Sequence, residues 1–376
     1  MGNNTNTYKQ TAIGLIPTDW EVKRLGEVIQ LSSGKTKPTG LKDILNEYQK
    51  FPVYGGNGIM GYSEQFNSKD EIIIIGRVGE YCGVTRYINE LCWITDNALF
   101  TKKFLEEIDV KFLAFKLQFE DLAKLRSKGG QPLVSQSPIY IHSISLPKTL
   151  PEQQKIATIL STWDVAIDNC KAIIEKIKER NKGLAQQLLT GKKRVKGFEK
   201  TKWEYMKLSD FSINRNSSLS INNLEGNFGE YPLYGANRII QRIDFFESED
   251  AYVSIIKDGA GVGRVFLCEG KSSIVGTMSY ITPNEKSTLH FLYYLLQIIK
   301  YENFITGSTI PHIYYSSYGK IYFEIPSIEE QKAIADILIT AASELNQYQQ
   351  KLQTLQLQKK GLMQQLLTGK VRVTIN

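Results

Sequence analysis

Histidine is scarce in this chain, with only three in 376 residues, and His142, His290 and His312 stand far apart. The four cysteines, Cys82, Cys92, Cys170 and Cys268, form no CxxC pair and have no histidine at ligand spacing, so they read as free thiols with no metal site among them. No aliphatic run exceeds the four isoleucines at 72–75. That is far short of the roughly 20 apolar residues a membrane-spanning helix needs. The opening "MGNNTNTYKQ" lacks the apolar stretch of a signal peptide, so a cytoplasmic protein with no membrane partner is expected. Charge of one sign is also modest: Lys and Arg number 46 against 39 Asp and Glu, a net +7. Such a balance permits a nucleic-acid partner without demanding one.

Catalytic motifs are missing as well. "LLTGKK" ends like a phosphate loop, but Gln186 stands where the first glycine belongs and Lys193 where a Ser or Thr would hold Mg²⁺. It also closes a helical pattern instead of opening one, which turns the helix dipole away from phosphate. "GAGVG" at 259–263 is followed by Arg264 in place of the third glycine of a dinucleotide loop, and reads as a turn between strands. "SPIY" at 137–140 lacks the second proline of the amino-methyltransferase motif that it otherwise resembles. "EVK" at 21–23 has only Asp19 upstream, too close to share a metal as in a nuclease. No serine or cysteine sits in a nucleophile elbow. A chain that performs no chemistry of its own is expected, with no catalytic and no metal-binding residue.

What the chain does contain, it contains twice. "GLAQQLLTGKKRV" (183–195) and "GLMQQLLTGKVRV" (361–373) agree at eleven of thirteen positions, 178 residues apart. "LPEQQKIATIL" (150–160) and "IEEQKAIADIL" (328–338) keep that offset. Upstream, "FPVYGGN" (51–57) answers "YPLYGAN" (231–237) at an offset of 180, and Trp20-Glu21 answers Trp203-Glu204. A drifting offset marks loops, and a constant one marks a rigid element.

The rigid element is helical. Alternate steps of four and three give Ile156, Leu160, Trp163, Ile167, Cys170, Ile174, Ile177, Asn181, Leu184 and Leu188. The second copy gives Ile334, Leu338, Ala341, Leu345, Tyr348, Leu352, Leu355, Lys359, Leu362 and Leu366, with its one polar break at the same place. This is a heptad seam. Pro151 suits a first turn, and Gly191 and Gly369 suit helix ends. The seam from 156 to 188 covers 33 residues, roughly 50 Å of helix. That exceeds what a globular domain ordinarily uses, so the two helices are expected to pair with each other.

The remaining sequence reads as one mixed α and β fold, used twice. "DEIIIIGRVGEYCGVTRYI" (70–88) and "DAYVSIIKDGAGVGRVFLC" (250–268) each read as a buried strand, a glycine turn and a returning strand, and helices are expected over 110–125 and 289–304. Between these elements lie loops of polar and aromatic residues suited to DNA. Asn and Gln can bond an adenine edge bidentately, Arg a guanine edge, and small residues let backbone N–H groups approach phosphate. The candidates are Lys35, Lys37, Tyr54, Gly55, Asn57, Arg77, Arg86, Arg126, Lys128 and Gln131 in the first half. In the second they are Asn214, Arg215, Tyr234, Gly235, Asn237, Arg238, Lys257, Arg264, Ser308, Thr309, His312 and Tyr314.

In the order "YKQTAIGLIPTDWEVKRLGE", doubled "YGGN/YGAN", doubled "EQQKIATIL/EEQKAIADIL" and doubled "QQLLTGK", the chain resembles the specificity (S) subunit of type I restriction–modification systems over essentially its full length. The resemblance implies an α+β chain in which two similar target-recognition domains are held apart by two long antiparallel coiled-coil helices with pseudo-two-fold symmetry. The implied divisions are 1–149 and 192–326 for the recognition domains, and 150–191 and 327–370 for the helices and C-terminal tail. It further implies that each domain reads half of a bipartite site in double-stranded DNA, while the helices set the unread spacer and dock two modification (methyltransferase) subunits. Restriction subunits join these, and S-adenosylmethionine, ATP and Mg²⁺ belong to the partners. With a net charge of only +7, tight binding is expected of the assembled complex and not of the chain alone. The domain–helix–domain–helix order also places the two termini side by side. Two rivals stay open at this point: a coiled-coil scaffold that binds only proteins, and a self-sufficient methyltransferase or nuclease.

Overall fold

The four isoleucines at 72–75 show how the first half folds. In the computed structural model, which describes residues 7–127 and 130–375, they form the strand Ile72–Gly76, buried on both faces. Successive side chains of a strand point to opposite sides. Ile73 and Ile75 accordingly pack with Phe112, Leu113 and Leu117 of the helix Val110–Glu120, while Ile72 and Ile74 pack with Tyr54, Ile94 and Ala98. The strand lies in a four-stranded antiparallel sheet ordered Ile29–Ser33, Ala98–Phe104, Ile72–Gly76, Thr85–Ile88. The layer beyond is a three-stranded sheet of Gly58–Ser63, Phe51–Gly55 and Trp93–Ile94, the last pair parallel.

The second half repeats this order. Ser212–Asn216, Met278–Pro283, Tyr252–Ile256 and Val265–Cys268 make the four-stranded sheet. Arg238–Ile243, Tyr231–Gly235 and Ser273–Ile274 make the three-stranded one, and the helix Leu289–Gln297 packs on the former. The fold is α+β, built from one pattern used twice.

The helices expected over 110–125 and 289–304 are each shorter than their pattern. The first ends at Glu120, because Asp121 turns left-handed at φ 55, and a 3-10 turn follows over Leu122–Leu125. Gly83 explains the break: a Cβ there would lie 2.3 Å from the Ala123 nitrogen, so the glycine turn presses backbone against backbone. In the second half the helix stops at Gln297 and a 3-10 turn occupies Tyr301–Phe304, with Gly263 against the Tyr301 ring.

The long helices run Leu150–Leu189 and Ile328–Leu366, 40 and 39 residues, or about 60 Å each. Every seam position is buried or half-buried, including Trp163, Ile167, Ile174, Ile177, Leu184, Leu345, Tyr348, Leu352, Leu355 and Leu362. Gly191 and Gly369, at φ 69 and 70, close the ends, with Lys193 N–H on Gln187 O and Val371 N–H on Gln365 O, both at 3.1 Å.

Two compact units emerge, residues 1–171 with 351–376 and residues 172–350. In the first, Ile156 and Leu160 share a core with Leu366 and Leu367, and Asp164 pairs with Lys359. In the second, Leu188 and Leu189 share a core with Ile334 and Leu338, and Arg180 pairs with Glu344 at 2.6 Å. Within each unit the helix segments are therefore antiparallel. The polar breaks in the seam are satisfied in different ways. Asn181 donates to Ala341 O at 2.8 Å, whereas Lys359 adds the Phe115 ring, 4.9 Å away, to its carboxylate.

The repeated "EQ" and "RV" letters acquire a structural meaning here. Glu330 is fully buried and accepts Arg194 Nε at 2.9 Å, Arg194 Nη2 at 2.7 Å, and Trp203 Nε1 and Thr201 Oγ1 at 3.0 Å. Glu152 likewise takes Arg372 Nε and Nη2 at 3.0 Å and Trp20 Nε1 at 3.2 Å. Arg372 also grips Asp19, and the guanidinium holds that carboxyl below its ordinary pKa. The neighbouring glutamines tie helix starts to the long helices: Gln153 Oε1 accepts Asp109 N–H at 2.9 Å, and Gln331 Oε1 accepts Thr288 N–H at 2.8 Å.

Tyr8 donates to Gly369 O at 3.1 Å, so the N- and C-terminal segments meet within the first unit. A circular permutant that joins them and opens between Lys196 and Gly197 leaves Arg194 on its own side of the cut. Its thermal midpoint and its assembly with a methyltransferase subunit are expected to match those of the unpermuted chain. Failure of every permutant opened over 192–200 would refute the cyclic arrangement.

Candidate nucleic-acid interface

In each unit three loops are pinned to one another by the same backbone bonds. In the first, Gly79 N–H meets Pro132 O and Val134 N–H meets Arg77 O, both at 2.9 Å, while Arg77 N–H meets Asn97 O at 3.0 Å. In the second, Gly259 N–H meets Pro311 O, Ile313 N–H meets Lys257 O and Lys257 N–H meets Thr277 O, all at 2.9 Å. In the first unit the hairpin tip lies so close to this frame that a Cβ on Gly56 would stand 3.1 Å from both Asn97 O and Val78 O. A concavity of about 340 Å³ results, lined by residues 55–60 with Val78, Asn97 and Gln131.

This frame places the sequence candidates. Tyr54 and Gly55, like Tyr234 and Gly235, are buried beneath the tips, and Asn57 and Asn237 are exposed on them. Burial pushes the Tyr54 phenol well above its ordinary pKa, and its hydroxyl donates to Glu90 at 2.7 Å. Lys35 is exposed but tied by its backbone to Ile94 O and Asp96 N–H, beside the loop of Asn97. Lys37 follows it, also exposed. Arg77 is half-buried and donates to Ser33 Oγ at 3.2 Å. Arg86 is half-buried below the tip and donates to Gly56 O at 3.3 Å. Gln131 reaches the concavity, Arg126 is exposed after the 3-10 turn, and Lys128 lies outside the described residues.

Several second-unit candidates are engaged within the protein. Arg215 stacks 3.9 Å from the Tyr280 ring centre and donates to Glu247 O at 3.1 Å. Lys257 pairs with Asp258 at 2.7 Å, and His312 packs on Tyr314 with ring centres 5.3 Å apart. Arg264 is exposed and folds over Gly261, and Ser308 and Thr309 are exposed on the late loop. Asn214 has a buried Oδ1 with no hydrogen-bond partner among the described residues. Among the described residues, Lys35, Lys37, Arg77, Arg86, Arg126, Arg238 and Arg264 carry no carboxylate partner. Unneutralised cations around paired polar loops suit an anionic ligand with acceptor edges.

Sequence reasoning missed the Glu152, Glu330, Arg194 and Arg372 clasps, although their letters recur at the fixed offset. It also missed Asn97 and Thr277, which no motif marks. Among the described residues no cluster of three or more potential metal ligands occurs, and no helix is long and apolar enough to cross a membrane.

Comparison with known proteins agrees over the whole chain. The model of the type I restriction modification DNA specificity domain matches twice, at residues 17–179 and 200–357. A chain from Methanocaldococcus jannaschii assigned as the MjaX type I restriction enzyme specificity subunit is 27% identical, across 97% of both chains. The MjaVIII specificity subunit of the same organism is 25% identical over 95% of this chain and 94% of its own. The crystal structure of a type I restriction–modification S subunit from M. genitalium superposes with a TM-score of 0.66 at 19% identity, covering 100% of this chain and 99% of that one. The doubled loop frame, the paired helix segments and the two matched domains lead to one conclusion: this chain belongs to the type I restriction–modification DNA specificity family.

Proposed function

We propose that this chain supplies sequence specificity to a type I complex without catalysing any step itself. The pinned loops of each unit read one half of a bipartite site on double-stranded DNA. The long helices set the unread gap and dock two methyltransferase subunits, with restriction subunits joining these. S-adenosylmethionine, ATP and Mg²⁺ act in the partners, in the cytoplasm. The observation that carries this reading is the frame itself: the same backbone bonds pin three loops in both units, and the hairpin beside them is tied in the same way, by Thr95 N–H on Tyr54 O at 2.9 Å and Val275 N–H on Tyr234 O at 3.0 Å, yet it reads "YGGNG" in one unit and "YGANR" in the other. One scaffold with two vocabularies is what an asymmetric site requires. A solved chain with 14% identity and a TM-score of 0.55 comes from work on complex assembly of the type I restriction–modification system, which supports partner docking by a chain of this fold.

The test is to co-express the chain with its methyltransferase subunit and map methylated adenines by single-molecule sequencing. One motif of two defined halves around a fixed gap is expected. A stable complex that methylates no motif, or a motif without a gap, would sink the reading.

A further inference from the structure

At two corresponding positions the units have exchanged residues. The hairpin tip of the first carries Gly58 and the facing strand carries Arg86; the second carries Arg238 and Phe266. Strand register fixes the correspondence. Gly55 faces Gly58 as Gly235 faces Arg238, and Arg86 lies opposite Ile74 as Phe266 lies opposite Ser254, the third residue of each buried strand. In the first unit the Arg86 guanidinium covers Gly58: a Cβ there would sit 3.6 Å from Nε and 3.7 Å from Nη2. In the second, the Arg238 guanidinium lies 4.8 Å from the Phe266 ring centre. Each unit thus places one guanidinium between tip and strand, delivered from opposite sides.

Within the fold Arg86 bonds Gly56 O at 3.3 Å and Arg238 covers the Phe266 ring, and among the described residues neither meets a carboxylate. Arg238 is held at φ 76, in a turn position where the first unit has glycine at φ 109. An L side chain there carries a steric cost that glycine avoids. Arg86 is half-buried, burial lowers its pKa, and among the described residues no carboxylate offsets its charge. A partly desolvated cation without an anion is stabilised once a ligand brings the missing acceptor.

We infer that this guanidinium is one and the same DNA contact in both units, made from the strand by Arg86 and from the hairpin tip by Arg238. Its partner is an acceptor on the duplex, either the N7/O6 edge of guanine or a phosphate oxygen. The inference rests on the DNA-reading function proposed above.

The test uses the chain assembled with its methyltransferase subunit, titrated by fluorescence anisotropy onto a motif-bearing and an unrelated duplex across a range of salt. Arg238→Gly restores the residue that the turn favours, so its melting temperature is expected to hold while affinity drops roughly 10- to 100-fold. Adding Phe266→Arg re-supplies the guanidinium from the strand, as in the first unit, and is expected to recover most of the loss. Arg86→Ala gives an independent loss in the other half-site. A drop confined to the motif duplex, with one base position relaxed, identifies guanine. An equal drop on both duplexes, with the salt slope reduced by about one, identifies phosphate. Unchanged affinity and slope in both Arg238→Gly and Arg86→Ala would overturn the inference and leave the reading standing. So would a double variant of wild-type melting temperature that recovers nothing. If the unaltered complex fails to bind any duplex at low salt, the reading falls and takes the inference with it.

Discussion

Replacing Arg194 by alanine is expected to cost about 3–5 kcal/mol and to lower the melting temperature by about 10 °C. Glu330 is fully buried, so its charge depends on the groups around it. Arg194 supplies both bonds of a bidentate pair and also ties down Phe198 O at 2.6 Å and Thr201 O at 2.9 Å. Without it the carboxylate keeps only neutral donors, Thr201 and Trp203. Arg194→Lys keeps the charge but loses the fork, so an intermediate loss is expected. Glu330→Gln should be milder than Arg194→Ala, because Arg194 is partly exposed and can be hydrated. Arg194→Ala with Glu330→Leu should recover much of the loss, since an apolar pair replaces a buried ion pair at little net cost. Urea unfolding of the four variants gives the ranking. A change below about 1 kcal/mol for Arg194→Ala would show the clasp to be ornamental.

How much of this was legible in the sequence depends on distance along the chain. The long helices were, because a heptad seam is a local signal, and each seam side chain from Ile156 to Leu188 and from Ile334 to Leu366 is buried or half-buried. The buried strand at 72–75 was, for the same reason. The early ends of the shorter helices were not. Asp121 breaks the first one because of Gly83, almost forty residues earlier, and no window around Asp121 contains that information. The clasps were hidden more deeply, since Arg194 meets a glutamate 136 residues away and Arg372 one 220 away. Their letters recur at a fixed offset, yet recurrence says only that something is repeated, not what touches what. The exchange of Gly58 and Arg86 for Arg238 and Phe266 looks in the sequence like two unrelated differences. Only strand register makes them one. Among the binding candidates the sequence marked residue types suited to DNA, but Arg215, Lys257 and His312 show that a suitable type can already be engaged by its own fold.

Exchanging residues 20–150 for the corresponding segment of another family member is expected to replace one half of the methylated motif and leave the other half and the gap unchanged. The structure gives physical grounds for such a clean graft. The segment meets the long helices through few polar sockets: the Trp20 indole on Glu152, the Asp109 N–H on Gln153, and the buried Lys116 amine on Leu367 O at 2.9 Å. The first two sockets recur in the second unit with different surroundings, as Trp203 on Glu330 and the Thr288 N–H on Gln331. The third does not recur, for Leu295 stands at the corresponding place in the helix Leu289–Gln297 and is fully buried. A donor segment therefore needs the tryptophan and a helix start, while Lys116 can be an apolar residue. The sockets lie at the ends of the long helices, and the seam residues that the segment packs on, Ile156, Leu160, Lys359 and Leu366, stay in place, so a donor that keeps an apolar face toward them changes the vocabulary and not the helix pairing. Single-molecule sequencing of methylated adenines reads the outcome. Altered letters in both halves, or an altered gap, would mean that recognition is shared between the units. The original motif, written by a folded chimera in complex with the methyltransferase subunit, would mean that residues 20–150 do not read DNA at all.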